Sequence, residues 1–165
     1  MTPKIRLATP EDEDAIWTIL KPVIEAGDTL TADPGGGRDG AFAYWRPHGA
    51  QNFVADFDGR IVGTSYLKQN QKGGGAHVCN AGYCTAPDAQ GRGVARALLA
   101  HSLDTAREEG YRAMQYNFVV ATNTRAIETW LRAGFETIGR LPGAFRHPTA
   151  GYVDALVMYK DLTDG

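Results

Sequence analysis

The sequence predicts an α/β (or α+β) domain built around a mixed sheet. Three observations lead there. Segments of strand-like composition alternate with segments of helical apolar period. Turn residues punctuate them at short intervals. The 165 residues (1–165) suit one domain with one core, and hydrophobic and charged shares of 43% and 22% are ordinary globular usage, disfavouring disorder and membrane classes.

Residues 4–8 read as the first strand. Thr9 then caps a helix that opens on Pro10, with Asp12 three residues after the cap. Ile16, Ile19, Leu20 and Val23 give this helix an apolar stripe, and Pro22, which removes a backbone donor, kinks it or ends it early. Residues 27–40 carry Pro34, Gly35, Gly36 and Gly37 with no apolar period, so they read as a mobile loop suited to a substrate lid, before a short helix near 42–45. Strands at 52–57 and 61–68 follow, joined by Asp58-Gly59, a pair that takes the positive φ angles of a tight hairpin. Gly73, Gly74 and Gly75 mark another turn. The fourth strand covers 77–86 and stops at Pro87, which cannot donate to a ladder. Ala95, Leu99, Leu103 and Ala106 share one helical face until Gly110. A fifth strand at 114–120, a helix at 124–133 and strands at 135–141 and 153–159 complete the chain, leaving residues 143–151 as a second long loop.

A formal charge of −2 gives no general field for nucleic acid. Residues 1–14 hold no apolar run of signal or membrane length, so the expectation is a cytoplasmic protein with no membrane partner. Cys79 and Cys84 lie five apart on one strand, about 16 Å, too far to bridge and on opposite faces. His48, His77, His101 and His147 lack the close spacing of a zinc site, so no metal is expected.

The most informative stretch is residues 87–96, Pro-Asp-Ala-Gln-Gly-Arg-Gly-Val-Ala-Arg, which leaves a strand and opens an amphipathic helix. Glycines let a ligand approach the backbone, free N–H groups at a helix start hold phosphate oxygens, and Arg92 and Arg96 add positive charge. Arg96 stands where a dinucleotide fingerprint has its third glycine or alanine, and no Gly-Lys-Ser/Thr is present, so Rossmann and P-loop readings lose ground. By itself the stretch is equally an ordinary glycine-rich turn with solvated arginines.

Gln90, Gly93 and Ala95, with the preceding proline, resemble the Gln/Arg-x-x-Gly-x-Gly/Ala pyrophosphate motif of the GNAT N-acetyltransferases. Asn123, Ala126, Ile127, Trp130, Gly134 and Phe135 are similar to that superfamily's later Asn-x-x-Ala block ending in Gly-Phe. The resemblance implies a mostly antiparallel sheet, splayed between its fourth and fifth strands, with helices on both faces. It implies acetyl-CoA as cosubstrate, its pyrophosphate on Gln90, Gly91, Arg92, Gly93, Val94, Ala95 and Arg96, with Asn123, Ala126 and Trp130 beside it. Main-chain groups of Tyr83, Cys84 and Thr85 would hold the thioester, one N–H facing the oxyanion. Transfer would be direct, so Cys84 contributes its backbone and its thiol is a buried strand residue. Trp130 stands where many members carry a tyrosine that protonates the leaving thiolate; an indole has no such proton, leaving a packing role in the core or against CoA.

The acceptor amine must be neutral to attack, yet the fourth strand offers no carboxylate. His77 reads as a strand-end histidine, and the general base stays unassigned. Asn80 and Asn117 are amides in apolar strands and need hydrogen-bond partners; they either stitch the sheet edge or project toward the acceptor. The segment around Asn117 and Asn123, with Tyr152-Val153-Asp154-Ala155, also resembles fungal acetyltransferases for proline analogues such as azetidine-2-carboxylate, which implies acceptor binding and catalysis for Asn80 and Asn117. The expected partner is a small-molecule amine. A protein N-terminus acetyltransferase and a noncatalytic acyl-CoA sensor are the alternatives, and the sequence leaves monomer and homodimer open.

Overall fold

The computed structural model describes residues 2–164. Seven strands form one sheet in the order β1-β2-β3-β4-β5-β7-β6. They are β1 (Lys4–Leu7), β2 (Gln51–Phe57), β3 (Arg60–Gln69), β4 (Val78–Thr85), β5 (Ala113–Val120), β6 (Glu136–His147) and β7 (Gly151–Asp161). The helices are α1 (Glu13–Ala26), α2 (Gly37–Trp45), α3 (Val94–Glu108) and α4 (Thr124–Arg132). Every neighbouring pair is antiparallel except β4 and β5, which α3 connects in parallel. No helix among the described residues is long and apolar enough to cross a membrane.

The side chains of β3 sort the layers. Thr64 points at α2, where its hydroxyl accepts from Trp45 Nε1 at 3.1 Å and donates to Phe53 O at 2.8 Å. Gly63, one residue earlier, faces Val94 and Leu98 of α3. Thus α1 and α2 cover one face, around Ile16, Leu20 and Trp45, while α3 and α4 cover the other, around Leu103, Met114 and Trp130. Cys79 and Cys84 fall in different clusters and stay free, as their odd spacing requires.

Several expectations need correction. Proline does not shorten α1, because Pro22 and Thr18 lie on its exposed side, where the carbonyl that proline leaves unpaired is open to solvent. The loop at 27–40 is shorter than its glycines suggest: Gly27 caps α1, Pro34–Gly36 form a 3-10 turn held by Asp33, and α2 begins at Gly37. The second long loop does not exist. Pro142 and Gly143 are absorbed into β6 as an irregularity between Leu141 and Phe145, with Gly143 N donating to Asp154 Oδ1 at 2.9 Å.

At the chain start, Asp12 is 6% exposed and accepts from Arg6 at 2.8 and 3.0 Å and from Thr9 N at 2.8 Å. The Arg6 guanidinium, aided by the Thr9 amide, lowers its pKa to about 2. A lowered folded-state value means stability that is full above the unfolded carboxylate pKa of about 4 and is lost as pH falls through about 2. Asp12→Asn should therefore lower the denaturant midpoint at pH 7 and flatten its acid dependence between those two values. Urea unfolding at several pH values checks this, and parallel curves for both proteins would refute it.

Candidate active site

Parallel pairing of β4 with β5 is confined to Val78 with Ala113 and Cys79 with Met114. Past that point the strands diverge, although both continue as strand to Thr85 and Val120. One cause is in β5, whose register against β7 slips by one residue between Tyr116 and Val119. An extra residue bends the bulged strand and increases its twist. Another is Asn80, whose Nδ2 donates to Gln115 O at 2.9 Å. That carbonyl is where the next rung of a continuing ladder would end, so a side chain occupies it at the point of divergence.

The opening leaves main-chain groups of β4 without a strand partner. Ala86 N donates to Val62 O at 2.8 Å and Asn70 N to Val78 O at 2.9 Å, and the β3–β4 register is unbroken between them. Main-chain groups alternate sides along a strand. Gly82 and Cys84 are thereby paired with β3, whereas the N–H groups of Ala81, Tyr83 and Thr85 face the gap. This corrects the role expected for the Cys84 backbone: its N–H serves the ladder with Thr64, and the N–H groups open to the gap belong to its neighbours. The Cys84 thiol sits 4.0 Å from Ile19 O, and burial pushes its pKa up to about 12, so it is no nucleophile at neutral pH.

The gap forms a cleft of about 730 Å³. One end lies at the 90–96 turn. Gly91 and Gly93 adopt φ of 79° and 82°, which L side chains resist, and α3 starts at Val94 with no side-chain cap. The first helical bond is Ala97 N to Gly93 O at 3.0 Å, so the N–H groups of Val94, Ala95 and Arg96 have no acceptor among the described residues. Gln90, Gly91, Gly93, Val94, Ala95 and Arg96 all line the cleft; Arg92 does not. Across from them, Asn123 at the N-cap of α4 and Arg125, Ala126, Thr129 and Trp130 on α4 line the cleft; Arg125 and Thr129 were not singled out in the sequence. Trp130 is 8% exposed and lies 5.1 Å from the rings of both Tyr83 and Tyr116. It is a core aromatic with an edge on the cleft.

The floor carries two polar groups on opposite faces. On the α3 side, Tyr83 Oη lies 2.6 Å from Ser102 Oγ and 2.9 Å from Tyr116 Oη. On the α1 side, Tyr66 Oη donates to Asn80 Oδ1 at 3.1 Å, Gln115 Nε2 donates to Asn117 Oδ1 at 2.9 Å, and Asn117 Nδ2 donates to Asn70 Oδ1 at 2.7 Å. Asn80 and Asn117 thus line one cleft with no hydrogen bond between them, each held by neighbours. Gly82 admits the Tyr66 ring, since a Cβ there would overlap it. Burial raises the pKa of Tyr66, Tyr83 and Tyr116 well above the ordinary phenol value, so all three stay protonated. No Asp, Glu or His is among the described residues lining the cleft. His77 is exposed at the closed end, where its carbonyl accepts from Arg112 N.

Nothing in its own strand singles out Tyr66; its place follows from the register, in which it shares a face with Lys68, the residue opposite Asn80.

The sequence model described as Acetyltransferase (GNAT) family matches residues 24–135, more than half of the chain. A GCN5-related N-acetyltransferase from Kribbella flavida is 40% identical with a TM-score of 0.91, over 97% of this chain and 98% of that one. N-acetyltransferase aca1 of Schizosaccharomyces pombe is 33% identical over 103 residues, 62% of this chain and 49% of that protein, so the match spans about half the length of this curated relative. A phosphinothricin acetyltransferase from Sinorhizobium meliloti, whose structure contains acetyl-CoA, shares the fold at a TM-score of 0.85 and 21% identity, over 100% of this chain and 91% of that one. With its splayed strands and its glycine turn at the start of α3, the chain belongs to the acetyltransferase (GNAT) family.

Proposed function

We propose that this chain is an acetyl-CoA-dependent N-acetyltransferase acting on the amine of a small molecule, an amino acid or amino-acid analogue, by direct transfer in a ternary complex. The observation that carries the proposal is the presence in one cleft of two sets of unpaired donors, on the β4 edge and at the first turn of α3. A phosphopantetheine thioester fits both: an extended amide chain pairs with a free strand edge, and a pyrophosphate accepts from helix-start N–H groups beside Arg96. The acetyl-CoA bound by the Sinorhizobium meliloti neighbour and the acetyltransferase activity named for the fungal relative support the same reading.

Acetyl-CoA supplies the activated acetyl group; the residues of this chain position and stabilise. The N–H of Tyr83 or Thr85 donates to the carbonyl oxygen as it gains charge, an interaction stronger in the transition state than in the ground state. Asn80 and Asn117, fixed by Tyr66, Gln115 and Asn70, orient the acceptor through their remaining amide capacity. With neither carboxylate nor imidazole lining the cleft, the amine loses its proton to water. The thiolate is a good leaving group near neutral pH and needs no acid from Trp130.

The N-terminus acetyltransferase reading gains ground in one respect, because the 143–151 loop expected to close over a small ligand is a β-hairpin. The small-molecule reading then rests on Thr29, Leu30, Thr31 and Tyr44, which wall the acceptor end. Ranking acceptors by size in a thiol-release assay separates the two, and absence of any turnover with acetyl-CoA bound would leave the sensor.

Gly93→Asp, which sets a carboxylate among the free N–H groups, should weaken acetyl-CoA binding by roughly a hundredfold while the protein stays folded. Calorimetry on a folded variant with unchanged affinity would overturn the cradle. The pH profile of kcat/KM gives a second check: with no titrating base in the cleft, its inflection should move with the pKa of each acceptor amine. A fixed inflection near neutral pH for amines of different basicity would reveal an enzyme base instead.

A further inference from the structure

Four cations line the cleft: Lys68, Arg96, Arg125 and Arg132. Carboxylates are absent among the described lining residues. The three arginines sit on α3 and α4, on the face of the sheet where the 90–96 turn lies, and suit the phosphates of a CoA. Lys68 does not belong with them. It stands on β3, directly opposite Asn80 in the β3–β4 register and two residues from Tyr66, so all three are on the face covered by α1 and α2.

Lys68 is half-buried, and among the described residues it makes no ion pair and no hydrogen bond. Its neighbours on that face, the Tyr66 phenol and the amides of Asn80, Asn70 and Asn117, are all neutral. An ammonium group in a concave site that contains no anion of its own attracts an anionic ligand more strongly than one on open surface, because the walls reduce screening. Lys68 pairs with Asn80, three residues before Tyr83 on β4 and so roughly 10 Å from the N–H assigned to the thioester carbonyl, and it lies on the face away from the 90–96 turn, so the anion it meets belongs to the acceptor.

We propose that Lys68 is a specificity-determining residue that binds a carboxylate on the acceptor, so that the preferred substrate carries an amine and a carboxylate together. This rests on the acetyltransferase reading above. It gives the polar row a division of labour: Asn80 and Asn117 address the amine, and Lys68 addresses the acid group beside it.

The test pairs each acceptor with its uncharged counterpart: α-amino acids, cyclic imino acids among them, against the matching carboxamides and decarboxylated amines. Thiol release is followed for the wild type, Lys68→Met and Lys68→Arg, and calorimetry measures acetyl-CoA binding to each. The wild type should favour acids over amides by roughly ten- to a hundredfold in kcat/KM, the worth of one charged hydrogen bond. Lys68→Met should erase most of that preference by raising KM for acids alone, and Lys68→Arg should restore part of it. Equal losses for acids and amides, or weakened acetyl-CoA binding in Lys68→Met, would overturn the assignment. Efficient acetylation of uncharged amines with no preference for acids would also overturn it while leaving the acetyltransferase reading intact. If no amine turns over, calorimetric titration of the same acids decides: Lys68-dependent binding supports the carboxylate site and refutes catalysis, and no binding refutes both.

Discussion

Everything functional in this structure depends on a parallel strand pair that stops after two residue pairs. Main-chain donors left without partners cost free energy when shielded from water, about 1–3 kcal/mol each, so a gap between two strands closes unless something holds it open. Here the bulge in β5 turns the strand aside, Asn80 occupies the carbonyl that the ladder would use next, and Tyr83, Tyr116 and Trp130 fill the space beneath. The gap is therefore a built feature. The donors it leaves on β4 lie at one end of the cleft's length and those at the start of α3 at the other, with the bonded amides of Ala86 and Ala89 between them, so the glycine turn and the open strand edge serve the same cleft.

The same architecture sets the chemistry. Hydrogen-bond donors, cations and neutral amides line the cleft, and groups that titrate near neutral pH are missing from its described lining. Such a site stabilises negative charge well and removes protons poorly. That asymmetry suits acyl transfer from a thioester, in which the carbonyl oxygen becomes anionic and the leaving thiolate needs little help.

Much of this was legible in the residues. The Asp58-Gly59 turn appears with φ of 49° and 89°, and the apolar stripe of α3 packs as its period requires, although Val94 and Leu98 carry more of the contact than Ala95. The 90–96 turn announced itself because its glycines and arginines stand together in sequence. Other features depend on what three dimensions bring together. Pro22 reads as a breaker and residues 143–151 as a loop because composition does not show which side of a helix faces water or where a sheet tolerates a bulge. The Cys84 backbone was misassigned because one-residue phase decides which edge an amide faces, and only the register with β3 fixes that phase. Lys68, Tyr66 and Arg125 drew no notice because each is ordinary in its own segment and matters by facing residues far away in sequence.

The central claim, that β4 presents an unpaired edge which acetyl-CoA completes, is open to residue-resolved amide hydrogen exchange. In the free protein the amides of Tyr83 and Thr85 should exchange faster than those of Gly82 and Cys84, which are paired with β3. Addition of acetyl-CoA should slow Tyr83 and Thr85, along with Val94, Ala95 and Arg96, and leave Gly82 and Cys84 unchanged. Uniform protection along β4 before ligand is added, or protection on binding that bypasses Tyr83 and Thr85, would contradict the account.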